Sequence, residues 1–166
     1  MQNQTIAPSP ELFIKMIVSA WDTYNARVDK LLGTLSDEQL ATETAPGRNS
    51  GIYLLGHLTA VSDGLFPLLG LGEKLYPELE DIFLKNPDKS GLEKPSLTDL
   101  KKYWNDVNKK LTGQINNMQP DDWFTKHAAV SAEDFAKEPH RNKLNLLINR
   151  TNHLSYHSGQ LAYLAV

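Results

Sequence analysis

Apolar residues recur in steps of three and four along four separate stretches of this chain, and none shows a sustained two-residue alternation of β-branched and polar residues. That pattern is the strongest constraint on the fold. A period near 3.6 puts an apolar stripe on one side of a helix, whereas a half-buried strand needs a period of two. The chain is therefore predicted to be all-α. The first stretch carries Phe13, Ile17, Trp21, Tyr24, Val28, Leu31 and Leu35, with Pro10 just inside its start and Gly33 near its end. The second follows the turn-forming run at 46–50, with Asn49 or Ser50 as N-cap, and continues through Leu54, Leu58, Val61 and Leu65 to about Leu69. It is apolar enough to be predicted well buried. The third has Ser96 and Asp99 in a capping-box-like start, then Leu97, Leu100, Trp104, Val107, Leu111, Ile115 and Met118, and is predicted to end at Pro120. The fourth runs from about Asn142 to the C-terminus with Leu144, Leu147, Thr151, Leu154, His157, Leu161 and Leu164 on neighbouring faces, so two inward positions are polar.

At 166 residues, 40% of them hydrophobic, the chain can fill one core, and residues 1–166 are predicted to form one four-helix bundle domain. The connections at 70–95 and 119–141 are longer than most bundle loops. Each either shapes a pocket or simply completes the topology. Residues 76–84 are predicted to make one or two helical turns within the first. A net charge of −3 and a pI near 5.9, with no Lys/Arg stripe interleaved with aromatics, argue against nucleic acid as a partner. There is no cysteine, so a transition-metal site must be built from imidazole and carboxylate, and a thiolate nucleophile is excluded. Residues 1–6 lack the basic start and apolar run of a signal peptide, and no run reaches about 18 unbroken apolar residues. A cytoplasmic protein with no membrane association is expected.

An internal repeat is visible beneath the periodicity. Laying Trp104 on Trp21 aligns Asn108 with Asn25, Met118 with Leu35 and Trp123 with Leu40 without a gap. After an insertion of 13 residues, Gly56-His57-Leu58-Thr59 falls on Asn152-His153-Leu154-Ser155, and Ser62 and Leu65 fall on Ser158 and Leu161. Helices of similar period can mimic a repeat. If the repeat is real, His57 and His153 sit at equivalent depths on helices related by a pseudo-twofold axis.

His153 and His157 are four apart, so on a helix they lie on one face one turn apart and can hold a single ion. The same spacing also arises on solvated faces and among satisfied core histidines. Leu154, Leu161 and Leu164 flank the pair, which turns it toward the core, and His57 lies in the most apolar stretch, where an unpartnered imidazole is costly to bury. One divalent transition metal accounts for all three. Three imidazoles leave a coordination position open, the pattern of a catalytic rather than a closed structural site. Zinc, nickel, iron and manganese all accept such ligands. His127 and His140 fall in a loop-rich stretch and are expected to be solvent-exposed, with His140 able to reach a pocket rim. Thr151 and Asn152 either support a ligand imidazole or serve helix packing. Arg141 and Arg150 either bind an anionic substrate or form surface ion pairs, and Tyr53, one turn before His57, either lines a cavity or belongs to the core. No general base is evident, since Asp63 is six residues from His57 and so on the opposite side of its helix.

The segment 50–58, followed about 95 residues later by 152–161 with its His-x-x-x-His-x-Gly-Gln pattern, resembles the DinB-like superfamily. Residues 35–40, Leu-Ser-Asp-Glu-Gln-Leu, are similar to a segment common after that family's first helix. The resemblance spans nearly the whole chain. It implies a four-helix bundle with a three-histidine metal site at His57, His153 and His157. It further implies a small-molecule substrate, with relatives that include bacillithiol- or mycothiol-dependent transferases, a thiol-dependent maleylpyruvate isomerase and metal-dependent hydrolases. A low-molecular-weight thiol as co-substrate, and a homodimer, are expected on the same ground. One scaffold hosts many chemistries, so the alternative of a non-catalytic metal-binding or stress-response bundle stays open.

Overall fold

The four apolar stretches become four long helices in the computed structural model, which describes residues 9–165. The N-terminal segment 1–6, on which the expectation of no signal peptide rests, lies outside the described residues. Helix α1 spans Pro10–Thr34, opened by the Ser9 side chain accepting from the Leu12 N–H and by Pro10 in the first turn. A short α2, Asp37–Ala41, follows with a full capping box between Ser36 and Gln39. Helix α3 is Gly51–Asp63, N-capped by Ser50, and α4 is Leu65–Leu69. The long amphipathic α5 covers Leu97–Ile115, the short α6 Ala132–Lys137, and α7 Lys143–Ala162 with Asn142 as N-cap. Among the described residues there is no strand, only two isolated β-bridges.

Two boundaries differ from the expected ones. The second stretch is not continuous to Leu69 but breaks at Gly64. Pro67 has no N–H to offer the carbonyl of Asp63, so the helix cannot propagate through that turn. The third stretch ends at Ile115, before Pro120, which instead opens a 3-10 turn, Pro120–Phe124. The helical turns expected at 76–84 are present over 79–85, the last five residues, Asp81–Lys85, forming a wide π turn. Phe13, assigned to the inward stripe, is exposed along with Leu12 and Met16 at the open end of α1.

Helix α1 packs mainly against α7 and α3 mainly against α5, and α3 also meets α7. The core between them holds Trp21, Leu54, Leu58, Phe66, Phe83, Trp104, Leu111, Leu147, Leu154 and Leu161. Helix α3 is buried on nearly every side, which accounts for its composition. The stretch Gly51–Leu69 is long and apolar enough to cross a membrane by length and composition, and most of it is buried within the protein.

The internal repeat is present in three dimensions. Asn25 Nδ2 donates to the carbonyl of Trp21 at 3.0 Å, and Asn108 Nδ2 to that of Trp104 at 2.9 Å, so both aligned pairs make the same bond. Helix α2 falls on the Pro120–Phe124 turn in the same alignment, and Leu40 and Trp123 are both buried. Each short element is then followed by a β-bridge to the N-cap of the next long helix, Glu43 to Ser50 and Lys126 to Asn142. His57 lies seven residues after its N-cap and His153 eleven after its own, so α7 carries one extra turn at its start.

The connection at 70–95 runs back along α3 and is tied to both ends of it. The buried Asp63 carboxylate accepts from the Leu75 N–H at 2.7 Å and the Tyr76 N–H at 2.9 Å. At the other end, Asp88 accepts from the Ser50 N–H at 2.7 Å. Between the two ties, Tyr53 donates its hydroxyl to the Asn86 carbonyl at 2.7 Å. The π turn is thereby laid over Gly56. A Cβ on Gly56 would overlap the Phe83 ring, so only glycine lets this segment lie so close.

Candidate metal centre

His57 leaves α3 on the side facing α7, one turn before Ala60 and Val61, and meets His153 and His157 there. Its Nε2 lies 3.0 Å from Nε2 of His153, which lies 3.1 Å from Nε2 of His157. The ligand-capable atoms of all three lie within 4.8 Å of one another. All three side chains are partly buried.

The remaining ring nitrogens decide which atoms carry lone pairs. His57 Nδ1 is 2.9 Å from the Phe83 carbonyl, an oxygen that can only accept, so Nδ1 holds the proton and Nε2 the lone pair. His157 Nδ1 is 2.6 Å from Gln160 Oε1, which fixes the same tautomer. His153 Nδ1 is buried with no partner. Two imidazoles therefore present lone pairs to a third at hydrogen-bond distance, and His153 has one Nε2 proton at most to share between them. A single cation would resolve the crowding for all three. Nitrogens about 2.0–2.1 Å from one ion lie roughly 2.9 Å apart at right angles and roughly 3.4 Å apart at the tetrahedral angle. The two observed separations, 3.0 and 3.1 Å, fall between those values.

Electrostatics favour the neutral ring at His153 and at His157. Burial, then the neighbouring His157, His57 and Arg150 charges, push His153 down to about 4. Burial likewise lowers His157, and the Gln160 bond offsets it only in part. Neutral imidazole is the form a metal requires.

Around the cluster the residues singled out from sequence sort cleanly. Tyr53 is buried and stacks on the His57 ring at 6.2 Å, so it belongs to the core and supports that imidazole at once. Thr151 donates to its own helix at the Leu147 carbonyl and Asn152 is exposed, so neither supports an imidazole. Asp63 is committed to backbone N–H groups. Arg141 pairs with Glu138 on the surface, while Arg150 turns inward and lines a cavity beside the cluster. His140 is exposed as expected, but His127 is not. It is partly buried with Nδ1 unpartnered, because the 119–141 connection folds back onto the end of α4 through Ala128 N–H to the Leu68 carbonyl, 3.0 Å.

Two supporting groups were not identified from sequence. Gln160 was visible as the end of the His-x-x-x-His-x-Gly-Gln pattern, at i+3 from His157, a spacing that puts it on the same face. The Phe83 carbonyl had no signal in its own side chain. Its only trace is Gly56, the small residue that admits Phe83.

On the repeat alignment Val61 falls at the position of His157. The first half thus supplies one imidazole where the second supplies two, and the missing fourth position points at Val61, a wall of the adjacent cavity of about 400 Å³.

Four long helices with three imidazoles converging between the second and the fourth define a helical bundle with a possible three-histidine metal site in its interior. The chain belongs to the DinB superfamily, whose family model matches residues 20–161. Its fold is similar to the crystal structure of a conserved protein from Enterococcus faecalis, at 16% identity and a TM-score of 0.63, covering 90% of this chain and 93% of that one. No curated protein matches the chain.

Proposed function

We propose that His57, His153 and His157 hold one divalent transition metal, zinc, nickel, iron or manganese, through Nε2, and that the protein is a metal-dependent enzyme acting on a small molecule. The observation that carries this is the convergence of three Nε2 atoms, two of them turned inward by hydrogen bonds to their Nδ1 protons. An ion there supplies Lewis acidity, which lowers the pKa of a thiol or water offered to it. The chemistry that follows is thiol S-transfer to an electrophile or hydrolysis. A purely structural site would be expected to supply a fourth protein ligand, and among the described residues no carboxylate or further imidazole joins the three.

The chain's own contribution is orientation and exclusion of water. Phe83 and Gln160 lock two rings, Tyr53 stacks behind one of them, and the π turn covers α3. With Asp63 occupied elsewhere, no carboxylate among the described residues joins the cluster to serve as a general base.

Elemental analysis of protein purified without an affinity tag, followed by a thiol-plus-electrophile panel on the loaded form, tests the reading. One equivalent of metal per chain is expected. Since four-ligand sites bind with about 10–16 kcal/mol, or roughly 3 kcal/mol per ligand, replacing any one of the three histidines by Ala should cut affinity by about a hundredfold. His127→Ala and His140→Ala should leave it unchanged. Equal affinity across all five variants would end the proposal.

A further inference from the structure

Arg150 is the cation that the proposed chemistry leaves unused. It lies three residues before His153 on α7, half-buried, and among the described residues its guanidinium forms no ion pair, while its Nε is buried without a hydrogen-bond partner. A guanidinium carries five N–H donors and a charge it does not shed, so removing it from water without a counter-charge is costly. The neighbouring cations are otherwise committed. Lys74, on the same cavity, is paired with Glu80, and Arg141 with Glu138.

The cavity that Arg150 lines, about 400 Å³, is otherwise walled mainly by Ala60, Val61, Gly64, Leu68 and Leu84. Ala60, Val61 and Gly64 continue the His57 face of α3, and Arg150 continues the His153 face of α7. The cavity therefore begins one helical turn, roughly 5 Å along either helix, from the three imidazoles. No acidic residue is among its walls. Apolar walls around one uncommitted guanidinium fit a small molecule that ends in an oxyanion, which the planar fork can bind with two parallel bonds.

We propose that Arg150 anchors an oxyanion, a carboxylate or a phosphate, on the substrate or thiol co-substrate of the three-histidine site, leaving its reacting group one turn away beside His57 and His153. The position of the reacting group rests on the proposed metal centre, whereas anion capture by Arg150 does not.

The two parts are tested separately. In the metal-free protein, ¹H–¹⁵N NMR follows the Arg150 Nε–H and the backbone N–H groups of Val61 and Gly64 during titration with propionate, inorganic phosphate and neutral propionamide. Saturable shifts are expected with propionate or phosphate and not with the amide, and the tighter of the two anions identifies the headgroup. Arg150→Gln should abolish the backbone shifts. Arg150→Lys, which keeps the charge if the Gln variant fails to fold, should weaken binding about tenfold through loss of the fork. No saturable shift with either anion, or an equal response to propionamide, overturns the anion site. On cobalt(II)-loaded protein, the thiolate-to-metal absorption should report 3-mercaptopropionate binding at least about tenfold tighter than 3-mercaptopropionamide, an advantage lost in Arg150→Gln. Cobalt uptake with no advantage for the acid overturns the shared-substrate inference. Saturable anion shifts with no cobalt uptake instead remove the metal centre and leave an anion site.

Discussion

His57 and His153 occupy equivalent positions in the two halves of the bundle, where the aligned residues Leu58 and Leu154, Ser62 and Ser158, and Leu65 and Leu161 are all buried. They are nevertheless held by different means. His57 is fixed from outside its helix, by a backbone carbonyl of the 70–95 connection, which is tied to α3 at Ser50 and Asp63. His153 has no partner at Nδ1, and its half of the site is secured instead by a second imidazole, His157, locked by Gln160 from the same helix. The repeat therefore sets depth and facing, while the parts that break the repeat set orientation. The same asymmetry leaves Val61 where a symmetric site would have a fourth imidazole, and the cavity opens there.

The largest effect should come from restoring the symmetry. Val61→His places an imidazole at the equivalent of His157, and at roughly 3 kcal/mol per ligand it should tighten metal binding about a hundredfold while abolishing turnover by filling the open position. Competitive chelator titration together with an activity assay reads both. Tighter binding with turnover intact would mean that Val61 does not face the open side.

Gly56→Ala attacks the external support of His57. The added methyl meets Phe83, a fully buried side chain, and overpacking of this kind costs about 1–3 kcal/mol. Urea unfolding should show that loss, and Phe83→Leu in the same chain should recover part of it. The aligned change Asn152→Ala lies on an exposed position and should be nearly silent. Equal costs at the two positions would contradict the account of the covering turn.

Gln160→Leu removes the internal support of His157 and leaves every proposed ligand in place. Loss of such a hydrogen-bond partner typically weakens metal binding by about 10–100-fold. Calorimetric metal titration should place this variant between wild type and His157→Ala.

The smallest effect is on the metal-free protein as pH falls. His153 sits at about 4 in the folded chain against about 6.5 unfolded, and His157 is lowered as well. Between those values the unfolded chain binds more protons, so stability is fully present above about 6.5 and is lost as pH falls toward 4. Urea midpoints at pH 7.5 and 5 should differ by less in His153→Ala than in wild type.

Much of the molecule could be read from the residues. Period 3.6 defined four helices because burial of an apolar stripe is a property of spacing, and Pro10, Ser50, Ser96 and Asn142 marked their starts because the residues that open a helix act on its own first turn. The three histidines were legible for a similar reason. Two share a helical face by spacing, and the third stood out as a polar group in an apolar helix.

What spacing cannot convey is which groups distant in sequence come to lie against each other. Phe83 reaches His57 across 26 residues through a main-chain oxygen, so no side chain at that position advertises the contact. Arg141 and Arg150 looked alike in the sequence. One lies beside Glu138 on the surface and the other beneath the turn that carries Leu84, facing a cavity with no acid to meet it. The sequence by itself determined the helices, their faces and the three imidazoles, because local periodicity and burial preference fix those. Tertiary structure alone decided the tautomers, the open side at Val61 and the unpaired charge of Arg150, because each depends on which groups from other segments pack against it.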